Sequence, residues 1–147
     1  MQPDTGINAV AHAIQLAVAP VFLLSGIGAV LAVLTNRLSR IIDRGRALDS
    51  QLAAGAPPDA AAAIHAELNA LSRRARLISR AITLCTVTAL LVCAVIATLF
   101  VGAFVGFDAS VPVALFFVAA MVAFFGGLLS FLREIFIATA NLRIGPH

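Results

Sequence analysis

Three long apolar runs, separated by polar segments, dominate the pattern of hydrophobic and polar positions along this chain. The first run covers residues 14–34 without a charge, and the others cover residues 81–105 and 111–132. About twenty apolar residues are enough for a helix to cross the hydrocarbon core of a bilayer, because each residue adds about 1.5 Å. The pattern therefore predicts an all-α membrane protein with three transmembrane helices in one domain.

The polar segment between the first two runs has an apolar repeat of its own. On both sides of a GAPPD turn at residues 55–59, the distance from one apolar position to the next alternates between four and three residues. Such heptad seams predict helices 9–54 and 59–106, which form an antiparallel helical hairpin over residues 37–80. The seam positions are Leu34, Leu38, Ile41, Gly45, Leu48 and Leu52, followed by Ile64, Leu68, Leu71, Ala75, Ile78 and Ile82.

Composition supports the membrane assignment. The mean hydropathy is +1.03 and only 12% of residues are charged, whereas soluble globular chains carry about 25% charged residues. The ten basic residues are all arginine. The topology of the membrane-spanning runs explains where these arginines lie. No aromatic residues alternate with them and no nucleic-acid-binding motif is present, so we expect the lipid bilayer as a partner and no nucleic acid.

Charge predicts the orientation of the helices. Residues 37–80 contain eight arginines against four acidic residues, a net charge of +4. The opposite side has only Asp4 and Asp108, while the C-terminal tail has Arg133 and Arg143 against Glu134. The positive-inside rule then places the hairpin and the C-terminus in the cytoplasm and the N-terminus outside.

One face of the first helix is polar at its outer end and mostly small toward its middle. In one interpretation these residues bond to or pack against neighbouring helices. In the other they line a narrow pore in a homo-oligomer, with Phe22 as an apolar constriction. The candidates are Asn8, His12, Gln15, Ala19, Phe22, Gly26 and Ala29.

Pro20 lies within the same predicted helix. Its ring nitrogen cannot donate to the carbonyl of Leu16, so a kink is expected between these residues. This makes Pro20 a candidate hinge.

A set of arginines follows the membrane-spanning runs on the predicted cytoplasmic side. They either contact anionic lipid headgroups or form a ring at the cytoplasmic mouth of an oligomeric pore. The candidates are Arg37, Arg40, Arg44, Arg73, Arg76 and Arg80.

Glu134 is an acidic residue near the cytoplasmic end of the third apolar run. We expect an interfacial ion pair with Arg40, Arg44 or Arg80. The alternative is a carboxylate that binds a proton or a cation.

The sequence contains no pattern for catalysis, a cofactor or a metal. The three histidines are scattered, and Cys85 and Cys93 lie too far apart along one helix for a disulfide. Neither a glycine-rich phosphate loop nor a nucleophile with a nearby base is visible. We expect a protein that is not an enzyme and has no cofactor.

The segments APVFLLSGIGA and TNRLSRIIDR, with RRARLISRAITLCTVTALLVCAVIATLF and FLREIFIATANLR, resemble the bacterial membrane family catalogued as domain of unknown function 2721 (DUF2721). The resemblance extends over nearly the whole chain. It implies a three-span protein of the bacterial inner membrane with a cytosolic helical hairpin, and it implies no activity.

Two functional hypotheses follow from these patterns. The first is a homo-oligomeric ion channel or pore lined by the first helix, with inorganic ions as its cargo. The second is a membrane-anchored scaffold or sensor whose cytoplasmic hairpin binds a protein partner.

Overall fold

Three α-helices make up the part of the chain that the computed structural model describes, residues 4–140. Helix α1 spans Asp4–Ala53, α2 spans Pro58–Val105 and α3 spans Ser110–Ala140. The all-helical prediction is confirmed. Three of the four predicted ends of the first two helices lie within one residue of the observed ones, whereas α1 begins at Asp4, five residues before its predicted start at residue 9. Arg143, which contributed to the predicted charge of the tail, lies outside the described residues.

All three helices are long and apolar enough to cross a membrane. The most apolar windows of α1, α2 and α3 are only 17%, 22% and 11% buried, respectively. A large exposed apolar surface of this kind is suited to contact with lipid or with other membrane helices. The chain is a multi-pass membrane protein.

The described residues form two compact units. The first contains residues 4–31 and 84–125, and the second contains residues 32–83 and 126–140. Each unit includes parts of all three helices.

The core of the first unit is built largely from small and β-branched side chains. Ala13 and Ala17 of α1, Val92 and Val95 of α2 and Ala120 of α3 are all buried. Small side chains allow helix backbones to approach closely, which is how membrane helices gain packing energy without a hydrophobic driving force.

The turn between α2 and α3 requires glycine at two positions. Gly106 adopts a positive φ of 76° and its N–H donates to the carbonyl of Gly102, which ends α2. A Cβ atom at Gly102 would lie 2.8 Å from that of Ala109. Asp108 then caps α3, accepting a 3.0 Å hydrogen bond from the N–H of Ser110. Hydrogen bonds from the side chain and backbone of Ser110 lower the pKa of Asp108.

The core of the second unit contains the two predicted heptad seams. Every seam position is buried or half-buried, and Leu34, Leu48 and Ile78 are almost fully so. The ion pair between Arg44 of α1 and Glu67 of α2, 2.8 Å between Nε and Oε1, joins the two arms beside the seams. The predicted seam positions of both arms therefore face the interior of the second unit.

The turn of the hairpin uses glycine to end one helix and proline to begin the next. Gly55 has a φ of 87° and its N–H donates to the carbonyl of Leu52. Helix α2 begins at Pro58. An N–H group in the first turn of a helix has no acceptor within the helix, so the absence of this group in proline costs no hydrogen bond here. Asp59 lies inside the first turn of α2, where its negative charge interacts favourably with the positive end of the helix dipole.

We predict that Leu48→Ala lowers the free energy of unfolding by about 2–5 kcal/mol, because it removes methyl groups from a closed seam. The matched control is Ile42→Ala on the same helix, since Ile42 is 43% exposed and its truncation leaves no cavity. Chemical unfolding of the detergent-purified protein, followed by circular dichroism, measures both. Equal losses for the two variants would contradict the assigned seam.

Candidate functional site

The face of α1 predicted to line a pore belongs entirely to the first unit. All of its members are exposed, and Phe22 is exposed by 75%. The buried residues of this part of α1, such as Ala13, Ala17 and Ile27, lie at other positions around the helix. The chain's own helices therefore leave the polar and small face of α1 uncovered within this unit.

An apolar groove runs beside this exposed face. Its volume is about 390 Å³, and it lies between Val18, Val21 and Phe22 of α1 and Ile96 and Phe100 of α2. A smaller cavity of about 230 Å³ is bordered by His12. The groove is lined almost entirely by apolar side chains, so it is suited to a lipid chain or an apolar helix.

Pro20 is buried in the first unit, and α1 is helical on both sides of it. Its role as a hinge stays a prediction.

The second unit contains a fully buried carboxylate. Oε1 of Glu134 accepts hydrogen bonds from Nη2 and Nε of Arg74, at 2.9 and 3.1 Å. Its Oε2 lies 3.4 Å from Nη1 of Arg37 and has no hydrogen-bond partner within the described part of the chain. One acidic residue of α3 thus contacts an arginine from α1 and one from α2.

These partners differ from those expected from the sequence, which were Arg40, Arg44 or Arg80. Arg74 was not among the predicted site residues at all. A signal for it exists, because Arg74 precedes the seam residue Ala75 and heptad-flanking positions commonly carry interhelical ion pairs. Spacing along one helix does not show which flanking arginine faces a third helix.

Helical spacing explains how these side chains meet. Arg37 lies one turn after the buried Leu34, and Arg74 lies one turn before the buried Ile78. Phe131, one turn before Glu134, places its ring 5.3 Å from the guanidinium carbon of Arg37. This cation–π contact holds Arg37 beside the carboxylate.

A cavity of about 280 Å³ lies next to this ion-pair cluster, and we call it the arginine cavity. Its walls are Arg37, Arg40, Ile41, Arg44, Leu71 and Arg74. Glu134 pairs with two of these arginines and Glu67 pairs with Arg44. Four guanidinium groups and two carboxylates leave a net charge of +2 around the cavity.

The structure separates the six predicted headgroup or mouth arginines into two groups. Arg37, Arg40 and Arg44 line the arginine cavity. The others, Arg73, Arg76 and Arg80, are exposed on α2 and do not line it.

Among residues 4–140, no three His, Cys, Asp or Glu side chains are grouped so that they could hold a metal ion.

The fold and these sites define the class of the protein as a three-helix multi-pass membrane protein. Residues 17–144 match the family described as "Protein of unknown function (DUF2721)", and the chain belongs to this family. No curated protein and no solved structure matches the chain.

We predict that Glu134→Gln lowers the free energy of unfolding markedly. Removing one partner from a buried ion pair typically costs about 3–5 kcal/mol, and we expect the lower end because Arg37 and Arg74 keep some water contact. The matched control is Glu67→Gln, which removes the exposed carboxylate beside Arg44 and should have a much smaller effect. Equal changes in chemical-unfolding experiments would show that burial of Glu134 is not what makes it important.

Proposed function

We propose that this protein is a homo-oligomeric ion channel of the bacterial inner membrane, in which copies of α1 line the pathway. The observation that carries the proposal is the uncovered face of α1, where Asn8, His12 and Gln15 lie in line with small residues and Phe22.

Physical chemistry explains why this face needs a partner. Amide and imidazole groups cost several kcal/mol in hydrocarbon when they have no hydrogen-bond partner. Gln15 is exposed within an apolar helix, so in a single copy its amide would face lipid. A second copy or a water-filled pathway removes this cost, and a symmetric ring of α1 helices provides both.

The same face has the properties of a narrow pathway. Ala19, Gly26 and Ala29 leave room for water near the helix axis, while Phe22 narrows the path with an apolar ring. The groove beside Phe22 provides an apolar surface on which a neighbouring copy can pack.

The proposed orientation follows the charge of the chain. Residues 37–80 carry a net charge of +4, so the positive-inside rule favours a cytoplasmic hairpin, an outer N-terminus and a cytoplasmic C-terminus.

We predict that Gln15→Cys forms a disulfide between copies when oxidised in the membrane, because α1 faces the symmetry axis. The background carries Cys85→Ala and Cys93→Ser, since both cysteines are free. The matched control is Val118→Cys, which is 60% exposed and lies on α3, a helix that the proposal does not place in the pore lining. Non-reducing electrophoresis measures the products, and cross-linking at Val118→Cys with none at Gln15→Cys would contradict an inner α1.

We predict that liposomes containing the purified protein release potassium or chloride, and that Gln15→Leu changes this flux several-fold by removing a polar wall. Phe22→Ala should increase the flux because it widens the constriction. The matched control is Val118→Ala, which should leave it unchanged. Ion-selective electrodes measure each ion, and no flux across pH, voltage and membrane tension would contradict the channel.

The alternative is a membrane-anchored scaffold whose cytoplasmic hairpin binds a protein partner. The observation in its favour is the exposed arginine group of α2, formed by Arg73, Arg76 and Arg80. An acidic protein surface is the partner with complementary charge. Cross-linked oligomers without ion flux would favour this alternative.

A further inference from the structure

We infer that the arginine cavity of the second unit is a binding site for a phosphate group. The inference does not depend on ion conduction, because the cavity is formed entirely by residues 37–74 and its chemistry is independent of the exposed face of α1.

The cavity has a suitable size. Its volume of about 280 Å³ exceeds that of several liquid waters, each of which occupies about 30 Å³. A phosphate group with part of the molecule attached to it can therefore enter. Ile41 and Leu71 provide apolar wall beside the charged groups, and such a surface suits the carbon atoms next to a phosphate.

The charge of the cavity favours an anion. The carboxylates of Glu134 and Glu67 offset two of the four positive charges and leave +2. Arg40 has no carboxylate partner among residues 4–140. A guanidinium group presents its N–H donors as a planar fork that fits two oxygens of a phosphate, so Arg40 is the main candidate ligand.

The remaining arginines are already held in place. Glu134 is fully buried and fixes Arg74 through two hydrogen bonds, while Phe131 lies under the guanidinium of Arg37. Arg44 donates from Nε to Glu67 in a more exposed ion pair, which leaves the Nη groups of this arginine available. Positively charged groups that are ordered before binding lose less entropy when an anion arrives.

The position of the cavity along α1 indicates phosphate in particular. The charge-free run of α1 ends at residue 36, and the α1 residues of the cavity are 37–44. These residues extend about 10 Å along a helix, which is enough to reach across the roughly 5–7 Å of headgroup region on each side of the roughly 30 Å hydrocarbon core. Lipid phosphates occupy this depth, and soluble phosphate esters can reach it from the aqueous side.

The test uses the full chain in a non-ionic detergent free of phosphate. The probes are inorganic phosphate and dihexanoyl phosphatidylglycerol, a short-chain anionic lipid, and binding is measured as the concentration-dependent rise in the thermal midpoint. The variant is Arg40→Gln, which removes the guanidinium without breaking an internal ion pair. The matched control is Arg46→Gln, an exposed arginine on the same helix outside the cavity.

We predict that at least one probe raises the thermal midpoint of the wild type and of Arg46→Gln, and that Arg40→Gln binds about tenfold more weakly, as expected for loss of a hydrogen bond to a charged group. A response to the lipid alone assigns the site to a membrane headgroup, and a response to inorganic phosphate as well assigns it to phosphate groups in general. No response to either probe, or equal weakening by Arg40→Gln and Arg46→Gln, would overturn the proposal.

Discussion

The ion pairs of Glu134 are the interaction on which the second unit depends. A fully buried carboxylate is tolerable only when positive charge and N–H donors compensate for the loss of water. Arg74 supplies two hydrogen bonds and Arg37 supplies a nearby charge, so one residue of α3 fixes the rotation of α1 and α2 around it. The heptad seams alone give no such rotational constraint to α3, because they involve only the other two helices.

The seams and the ion pairs have different physical roles. The seams stabilise the unit by burying apolar area, and this stabilisation depends little on the direction from which the helices approach. Leu34, Leu48 and Ile78 are examples of such buried seam residues. Guanidinium–carboxylate contacts depend strongly on distance and angle, and they select one arrangement among those that the seams allow. The arrangement that results also places four arginines around one cavity, so the packing of the hairpin and the chemistry of the arginine cavity have the same origin.

Much of the fold was predictable from the sequence, because it depends on periodicity and on local turn chemistry. The length of the apolar run at residues 14–34 is enough to predict a transmembrane helix. Gly55 and Pro58 mark the turn between the two arms of the hairpin. The partners of Glu134 were not predictable, since they depend on how α3 is rotated against two other helices. Arg74 differs from its neighbour Arg73 only by about 100° around the helix, yet it contacts the carboxylate while Arg73 is exposed.

The use of arginine without lysine also has a physical rationale in this structure. A guanidinium can donate to a carboxylate with some N–H groups and keep others for a second acceptor, and it can lie over an aromatic ring at the same time. Arg37 lies over the ring of Phe131 while its Nη1 stays 3.4 Å from Oε2 of Glu134. Arg44 donates to Glu67 through Nε while it lines the cavity. A lysine ammonium is a compact charge that is more strongly hydrated and has no planar fork, so it would serve one partner at a greater desolvation cost. The cluster around Glu134 therefore needs arginine for its geometry as well as for its charge.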